Sequence, residues 1–344
     1  MATTTKIKGG KKTTMSGQIV LDYLSKCPQW MPSSTLASLI MKEQSAHFDN
    51  QESVRYLIRY YRGKVGNYKT KNNQFVEDFK RTASNFAQPE TWVEEKVIYT
   101  LPVGIKKMGF ISDLQVPFHD PKAIEVCFKY LLDQKIDSLF INGDLVDFYQ
   151  LSDFQKDPRV RKFDEEYEAI IQMLGFIRAT FKDIPIYYNL DSNHEFRYER
   201  YMRSKAPELL GLNGKFDIEE ILMLNTFNII GIKNIDHVKF GKLPIIHGDT
   251  TFRRGSGVNP AKTLYDRVKQ SAIASHVHQV QSYTTKNQFD EEVFTCWTTG
   301  HLMHPNVEYC KHVDNYSQGF AVLEKDKEGF YQVHNKRIYK NKIF

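Results

Sequence analysis

Short apolar runs that end in polar residues alternate with amphipathic stretches through the middle of the chain. The runs at 108–112, 138–142 and 184–190 have the length and composition of buried strands, whereas 123–134 and 163–181 repeat their apolar residues at helical spacing. The order strand, helix, strand, helix, strand predicts a parallel sheet with helices packed on it.

Beyond about residue 225 the apolar runs lie closer together, and the helical stretch 262–269 interrupts them. We expect strands at 226–232, 243–247, 272–275, 280–285, 293–298, 319–323 and 331–339, and an outer strand at 91–101. A half rich in strand–helix units joined to a half rich in strands predicts an α/β fold over residues 91–344, with two packed, mixed β-sheets flanked by helices.

The first 90 residues follow a different pattern. Residues 1–14 are rich in Thr, Lys and Gly and have few apolar groups, which predicts a disordered tail. Over 15–66 we expect three helices, one capped by Ser16, one capped by Ser33 or Ser34, and one from the N-cap Asn50 to Gly63. Residues 67–90 lose periodicity, so we expect a linker there, with a short helix near 75–81.

The third helix has two distinct faces. Its apolar stripe, at 54, 57, 58 and 61, has the spacing of a face packed on a core. Arg55, Arg59 and Arg62 fall on another face, interleaved with tyrosines. A small helical unit with such a last helix resembles a helix-turn-helix or winged-helix module, which predicts DNA binding through these arginines. The competing interpretation is the solvated surface of a packing module.

Composition narrows the class of protein. The 344 residues are enough for one large domain and a small one, and the net charge of +6 is too low to require a polyanionic partner by itself. The four scattered cysteines predict reduced thiols, and the N-terminus lacks the apolar run of a secretory signal. No apolar run is long enough to span a bilayer, so we expect a cytoplasmic protein, in the host cytoplasm if the gene belongs to a phage.

Metal-capable side chains follow several of the predicted strands. They are Asp113, Asp144, Asn193, His247 and His276, and His278 completes an H-x-H pair. Carboxylates, imidazoles and an amide oxygen form a mixed nitrogen and oxygen ligand set. Such a set suits manganese, iron, zinc or nickel, and it is not the set of a thiolate site. Six such ligands exceed one tetrahedral centre and fit two bridged ions, which hold an attacking hydroxide and clamp a phosphoryl group.

Five ordered motifs make the pattern more specific. They are Asp113-Leu-Gln115, Gly143-Asp144-Leu-Val-Asp147, Ser192-Asn193-His194-Glu195, His247-Gly248 and Ser275-His276-Val277-His278. Over about 108–280 the chain resembles the calcineurin-like metallophosphoesterase superfamily, whose motifs are DxH, GDxxD, GNH(D/E), a lone H and GHxH. The stretches 113–120, 151–158 and 193–201 further resemble phage- and prophage-type members. The resemblance implies a four-layer sandwich, in which the two sheets lie between layers of helices.

The resemblance also implies roles. Asp113, Gln115 and His278 would hold the first ion, Asp144 would bridge, and Asn193, His247 and His276 would hold the second. His194 would act near the leaving-group oxygen without binding metal. Gln115 stands where the superfamily has histidine, and its amide oxygen is a weaker ligand. The first ion is therefore expected to bind loosely, to be a harder ion such as Mn²⁺, or to need substrate to complete its coordination. His119 is an alternative group for that position.

Other residues receive weaker predictions. Arg197 and Arg253 follow the motifs closely and are candidates for binding substrate phosphate, with surface ion pairs to Glu195 or Glu199 as the alternative. His301, His304 and His312 lie past the last motif, and we expect surface or packing roles for them in preference to site roles. His47, His237 and His334 are expected to be structural.

The leading hypothesis is a dimetal-dependent phosphodiesterase or nuclease acting on nucleic acid or nucleotides, with two divalent ions, manganese first. One alternative is a DNA-binding or scaffold protein whose phosphoesterase domain is weakened by Gln115. Another is a phosphomonoesterase or protein phosphatase. Phe148 follows Asp147 where serine/threonine phosphatases of the superfamily carry an arginine, and this departure disfavours the phosphatase.

Overall fold

A computed structural model describes residues 13–27, 31–65, 91–93, 95–153, 162–289, 291–307 and 315–344. The chain divides into two compact units, Met1–Glu94 and Glu95–Phe344. The predicted tail, up to residue 12, and the predicted linker 67–90 with its short helix lie outside the described residues. The domain limits in that part of the chain therefore stay predictions.

Three helices form the described part of the first unit, as the apolar pattern predicts. They are α1 (Met15–Lys26), α2 (Ser33–Gln44) and α3 (Gln51–Tyr61), with a short 3-10 turn at Ser45–His47. Val54 and Ile58 of α3 are buried against apolar residues of α1 and α2. A small all-helical unit is thus confirmed, whereas its helix-turn-helix character stays a prediction.

The helix ends follow the predicted capping only in part. Asn50 accepts the Ser53 N–H at 2.9 Å and so caps α3, as expected. The cap of α1 is Thr14 and not Ser16, because the Thr14 hydroxyl accepts the Gly17 N–H at 3.2 Å. The serine cap predicted for α2 is wrong, since Ser33 is already helical and Pro32 precedes it without a side-chain cap.

Two sheets build the second unit. Its described residues form thirteen strands, which are β1 (Val97–Thr100), β2 (Lys107–Ile111), β3 (Ser138–Ile141), β4 (Ile186–Asn189), β5 (Ile229–Ile232), β6 (Ile235–Phe240), β7 (Leu243–Ile246), β8 (Ala272–Ala274), β9 (Gln281–Lys286), β10 (Val293–Thr298), β11 (Gln318–Lys325), β12 (Tyr331–Tyr339) and β13 (Lys342–Ile343). One sheet has the order β13-β12-β11-β2-β3-β4-β5, and the other has the order β1-β6-β7-β8-β10-β9. In the first sheet β2 to β5 are parallel and β11 to β13 antiparallel, so the sheet is mixed.

Helices cover the outer faces of both sheets. They are α4 (Pro121–Asp133), α5 (Phe163–Thr180), α6 (Glu195–Lys205), the short α7 (Pro207–Leu210) and α8 (Ile218–Ile221), and α9 (Pro260–Val268). Phe110 and Phe140 of the first sheet share a buried cluster with Phe240 and Ile245 of the second, so the inner faces pack on each other. The other face of the first sheet packs under α4 and α5, and α9 covers the second sheet.

The predicted fold class is therefore confirmed: two mixed sheets lie between layers of helices. The sequence pattern missed β6 and β13, because β6 places Asp236, His237 and Lys239 between its apolar residues and β13 has only two residues. Within the described ranges, no helix is long and apolar enough to cross a bilayer. The three cysteines in those ranges are free thiols.

Candidate metal centre

Loops that follow strands of both sheets bring the predicted ligands together. Asp113 follows β2, Asp144 follows β3 and Asn193 follows β4, while His247 and His276 follow β7 and β8. Backbone hydrogen bonds join these loops, from Asp113 N–H to Gly143 O at 3.2 Å and from Ser275 N–H to His247 O at 2.8 Å. The carboxyl ends of parallel strands share one edge of a sheet, which explains why polar residues distant in sequence meet here.

One group of ligand atoms surrounds His247. Asp144, His247 and His276 each offer a ligand atom, and these atoms all lie within 4.8 Å of one another. The His247 Nε2 atom is 3.3 Å from Asp144 Oδ2 and 3.2 Å from Asn193 Oδ1. The Nδ1 atom of His247 donates to Asn142 O at 2.7 Å, so Nε2 is the nitrogen turned toward the carboxylate and the amide.

A second group surrounds His278. Its Nε2 atom lies 3.0 Å from Asp113 Oδ1 and 3.5 Å from the side-chain amide of Gln115. Turning that amide about its axis brings Oε1 to the same place, so the glutamine can offer an oxygen ligand there. Asp113 also accepts the His276 N–H at 3.3 Å, which ties the two groups to each other.

This set of donors fits divalent cations. The buried residues here are Asp113, Gln115, Asp144, His247 and His278, and their oxygen and nitrogen atoms converge. Two buried carboxylates in one place carry negative charge, which a bound cation would compensate. Mixed oxygen and imidazole sets of this kind suit Mn²⁺, Fe, Zn²⁺ or Ni²⁺. Asp144, His247 and His276 form one candidate metal-binding group, with Asn193 beside it. Asp113, Gln115 and His278 could hold a second ion.

Buried charges shift the titration of these groups. Burial raises the pKa of Asp144, but the fields of His194 and His247 outweigh it and hold the pKa well below its usual range. Burial lowers the pKa of His247, yet the adjacent Asp144 carboxylate raises it to about 10. The two shifts show that the Asp144 carboxylate and the His247 imidazole interact strongly at this site.

Five of the candidate ligands have a strained backbone. Asp113, Gln115, Asp144, His276 and His278 have φ of 53°, 47°, 50°, 69° and 57°, in the left-handed region that residues with a Cβ rarely adopt. Each such residue costs on the order of 1 kcal/mol, and such residues cluster at functional sites. Gly143, with φ of 84°, is required as glycine because a Cβ there would meet the Ser192 Cβ at 2.5 Å.

His194 lies beside the ligand cluster, at the start of α6. Its Nε2 atom is 3.8 Å from Asp144 Oδ2. Its Nδ1 atom is 3.1 Å from the Asp147 backbone oxygen and 3.2 Å from Asp147 Oδ1, so Nδ1 carries a proton that both oxygens accept. Burial lowers the pKa of His194, but Asp144 and the hydrogen bond to Asp147 raise it above the ordinary histidine value. The sequence pattern alone gives Asp147 no role, although this residue closes the second motif.

Glu195 has a structural task that the sequence did not reveal. Its buried carboxylate accepts the N–H groups of Asp144 and Leu145, both at 3.0 Å. The hydroxyls of Tyr188 and Ser192 also donate to it. The prediction that Glu195 pairs with an arginine is therefore wrong, because its oxygens hold the loop that carries Asp144. Ser192 stands where the motif has glycine, and its hydroxyl serves this network.

The two arginines predicted to bind substrate phosphate are placed differently. Arg197 donates to the Asp147 backbone oxygen at 2.6 Å and to Asp147 Oδ1 at 3.3 Å, so its guanidinium is engaged with that aspartate. Arg253 is exposed in the turn after His247. Substrate binding by either arginine stays a prediction. Arg200 pairs with Asp153 at 3.0 Å and not with Glu195.

Histidines past the last motif divide into two kinds. His301 is buried, its ring centroid is 5.1 Å from that of His278, and Tyr316 packs against both rings. Burial and the neighbouring His278 lower the pKa of His301 to about 3, so it is a neutral packing partner of a candidate ligand. His304 is exposed, and His312 lies outside the described residues. His119 borders a groove of about 510 Å³ between α4 and α5.

The arginines of α3 differ in their environment. Arg62 donates to Ser33 Oγ at 3.0 Å, and burial lowers its pKa, so its guanidinium is used within the helical unit. Arg55 pairs with Glu52 at 3.5 Å on the same helix. Arg59 is half-buried. DNA contact by Arg55, Arg59 and Arg62 stays a prediction.

This chain is similar to some known proteins in sequence and to others in structure. No protein-family profile matches the chain. The Gene 54 proteins of Mycobacterium phages D29 and L5 are each 26% identical to it over 236 residues, which is 64% of this chain and 89% of theirs. Vps29 of Chaetomium thermophilum superposes at 11% identity and TM-score 0.34, covering 70% of this chain and 95% of that one. YfcE, a phosphoesterase from E. coli, does so at 11% identity and TM-score 0.29, covering 66% and 98%. At these scores the structural likeness does not bear on function.

Proposed function

We propose that this chain is a dimetal-dependent phosphoesterase, a hydrolase of the calcineurin-like metallophosphoesterase type, whose substrate is a phosphodiester of nucleic acid or of a nucleotide. The observation that supports it best is the convergence of two ligand groups, around His247 and around His278, beside the buried pair His194 and Asp147. Two divalent ions bound there would neutralise the charge of a phosphoryl group and activate water for its hydrolysis.

The chain's own residues supply the rest of the chemistry. His194 holds a proton on Nδ1 through Asp147, and its Nε2 atom, near Asp144, is where the imidazolium form carries its second proton. From Nε2 the proton can pass to the oxygen of the leaving group as its bond to phosphorus breaks. Asp147 stabilises the imidazolium and fixes the ring, while Glu195 keeps the Asp144 loop in place.

Two features favour a diester over a phosphoprotein substrate. Phe148 is buried where a phosphate-binding arginine would follow Asp147, and Arg197 is engaged with Asp147. The similarity to phage Gene 54 proteins, together with the predicted DNA-binding unit, supports a phage-type member that acts on nucleic acid or nucleotides. A phosphomonoesterase remains the alternative enzyme.

The test is hydrolysis of bis-p-nitrophenyl phosphate and of p-nitrophenyl phosphate with Mn²⁺, Ni²⁺ and Mg²⁺, followed by DNA, RNA, cyclic and mononucleotide substrates. We expect the diester to be preferred, and His194→Ala to lower kcat by about 10²–10⁴-fold with unchanged metal content. His334→Gln, on β12 and half-buried, is the matched control. Undiminished diesterase activity in His194→Ala would remove His194 from the mechanism.

Gln115 supports a second candidate function. An amide oxygen binds divalent metal more weakly than imidazole, so the subsite around His278 could serve a DNA-binding or scaffold protein with little hydrolytic activity. Calorimetric titration with Mn²⁺ separates the two functions. Two binding events with activity support the enzyme, whereas one event without hydrolysis of any substrate, combined with DNA binding, supports the scaffold.

A further inference from the structure

A buried carboxyl on α5 contacts the loop that carries Asp147. Glu166 is only 3% exposed, and its Oε1 atom accepts the Tyr149 N–H at 3.2 Å. The backbone N–H of Phe148 also interacts with this carboxyl and lowers its pKa. Glu166 belongs to none of the five motifs, and a buried glutamate on a helix that faces a loop requires a reason, because burying a carboxyl is costly.

The loop that Glu166 contacts is strained. Phe148 has φ of 50°, which is the left-handed region and an unusual conformation for a bulky residue. This conformation lets the Phe148 ring enter the core, where it packs on Phe163 of α5 and on Tyr198 of α6. A strained loop persists only where its surroundings hold it, and α5 provides two such contacts, through Phe163 and Glu166.

The same loop sets the position of Asp147, and Asp147 in turn contacts His194 and Arg197. Asp147 raises the pKa of Glu166, after the larger effect of burial, and the result is about 7. The Glu166 carboxyl therefore lies near Asp147, and its hydrogen bond goes to the Tyr149 backbone two residues further on.

We infer that Glu166 is a positioning residue for His194, because it holds the 147–149 loop so that both Asp147 oxygens stay against the His194 Nδ1 atom. This inference rests on the proposed function for its catalytic part. The physical effect is transmitted through hydrogen bonds to the backbone, so an acceptor of the same shape at position 166 should preserve it. Glutamine provides that acceptor without the charge, and alanine provides neither.

The experiment compares Glu166→Ala, Glu166→Gln and the control Glu168→Ala, which alters an exposed glutamate of the same helix. We expect Glu166→Ala to lower kcat by about 10-fold or more, with KM changed less than about two-fold. Glu166→Gln should restore most of kcat, and Glu168→Ala should match the parent. A fall in kcat that Glu166→Gln does not rescue would mean that charge, and not loop positioning, is responsible. An unchanged kcat in Glu166→Ala would overturn the inference.

Two measurements that need no turnover keep this result separate from the proposed function. Hydrogen exchange of the Tyr149 amide should accelerate in Glu166→Ala and stay near the parent rate in Glu166→Gln. The ¹⁵N shifts of the His194 ring should show loss of the fixed Nδ1–H form in Glu166→Ala alone. If the parent hydrolyses no ester, the proposed function fails, and these two readouts still decide whether Glu166 holds the loop. If neither changes in Glu166→Ala, the packing of Phe148 suffices and Glu166 has no positioning role.

Discussion

The Nδ1 atom of His194 lies 3.2 Å from Oδ1 of Asp147, and Arg197 donates to the same aspartate at 3.3 Å. These three side chains come from the loop after β3 and from the first turn of α6. Asp147 therefore stands between a candidate catalytic imidazole and a permanent positive charge. This arrangement suggests that the aspartate orients His194, and it gives the arginine a task other than binding substrate.

Replacing Asp147 with asparagine should weaken catalysis without emptying the metal centre. The amide can donate to His194 Nδ1 and thereby favour the wrong tautomer, so we expect kcat to fall by about 10²-fold or more. Kinetics with a diester substrate and metal analysis of the purified protein check this. Asp153→Asn, which alters an exposed partner of Arg200, is the control and should be close to the parent. Loss of bound metal in Asp147→Asn would show that Asp147 serves the metal centre instead.

Kinetics of an Arg197 variant can distinguish two roles for this residue, holding Asp147 and binding substrate phosphate. If it holds Asp147, Arg197→Ala should lower kcat with KM changed less than about two-fold, because the loss is one of positioning. If it binds substrate phosphate, the same variant should raise KM for a charged nucleotide far more than it lowers kcat. Arg203→Ala, on the exposed part of the same helix and paired with Glu199, is the control. From the observed contacts with Asp147 we expect the first result.

Glu195 should be important for stability. Glu195→Ala leaves the buried Leu145 N–H without its acceptor, and the Asp144 N–H with only the Ser192 hydroxyl at 3.1 Å. We therefore expect the free energy of unfolding to fall by about 2–5 kcal/mol. Urea denaturation of the metal-free protein measures it. Glu199→Ala, four residues along α6 and exposed to a larger degree, should change it by about 0.5 kcal/mol or less. Similar stabilities for the two variants would contradict the anchoring role.

The stability of the metal-free protein should depend on Glu166 between pH 4.5 and 7. Burial and Asp147 raise the pKa of this carboxyl from 4.5 to about 7, so the folded state binds more protons than the unfolded chain in this range. The contribution of Glu166 to stability is therefore fully present below pH 4.5, the pKa in the unfolded chain. It is lost as the pH rises through about 7, the pKa in the folded protein. At most, the slope is about −1.4 kcal/mol per pH unit.

Glu166→Gln removes this titration. The difference in unfolding free energy between variant and parent should therefore grow in favour of the variant as pH rises from 4.5 to 7 and stay constant above. Urea titrations at several pH values measure the difference. A difference that does not vary with pH would mean that Glu166 titrates as it does in the unfolded chain.

DNA binding by the first unit is tested on α3. Replacing Arg55 and Arg59 together with alanine should lower affinity for duplex DNA and reduce the slope of log affinity against log salt by about one to two units. Fluorescence anisotropy across a salt series measures both. Lys42→Ala, on the exposed face of α2, is the control. Equal affinity and equal slope in the double variant and the parent would assign these arginines to a solvated surface.

Local pattern was sufficient to predict much of the fold. The strands β10 and β12 have the predicted limits, and α4, α5 and α9 lie within a few residues of theirs, because apolar periodicity reports which face of an element is buried. The strand β6 was missed because its polar residues interrupt the apolar run. Capping of α1 and α2 was mispredicted because Ser16 and Ser33 already lie inside their helices, where serine has no special advantage.

The sequence by itself predicted the identity and order of the candidate metal ligands, since most of them follow an apolar strand and each has an atom that can bind a cation. Only the tertiary structure decided which residues elsewhere in the chain contact the motif residues. It brought Asp147 against His194 over a separation of 47 positions, turned Glu195 from arginine toward the amides of Asp144 and Leu145, and placed Glu166 beneath the Tyr149 amide. These contacts depend on how strands and helices that are distant in sequence pack against one another. The local periodicity of the sequence does not encode that packing.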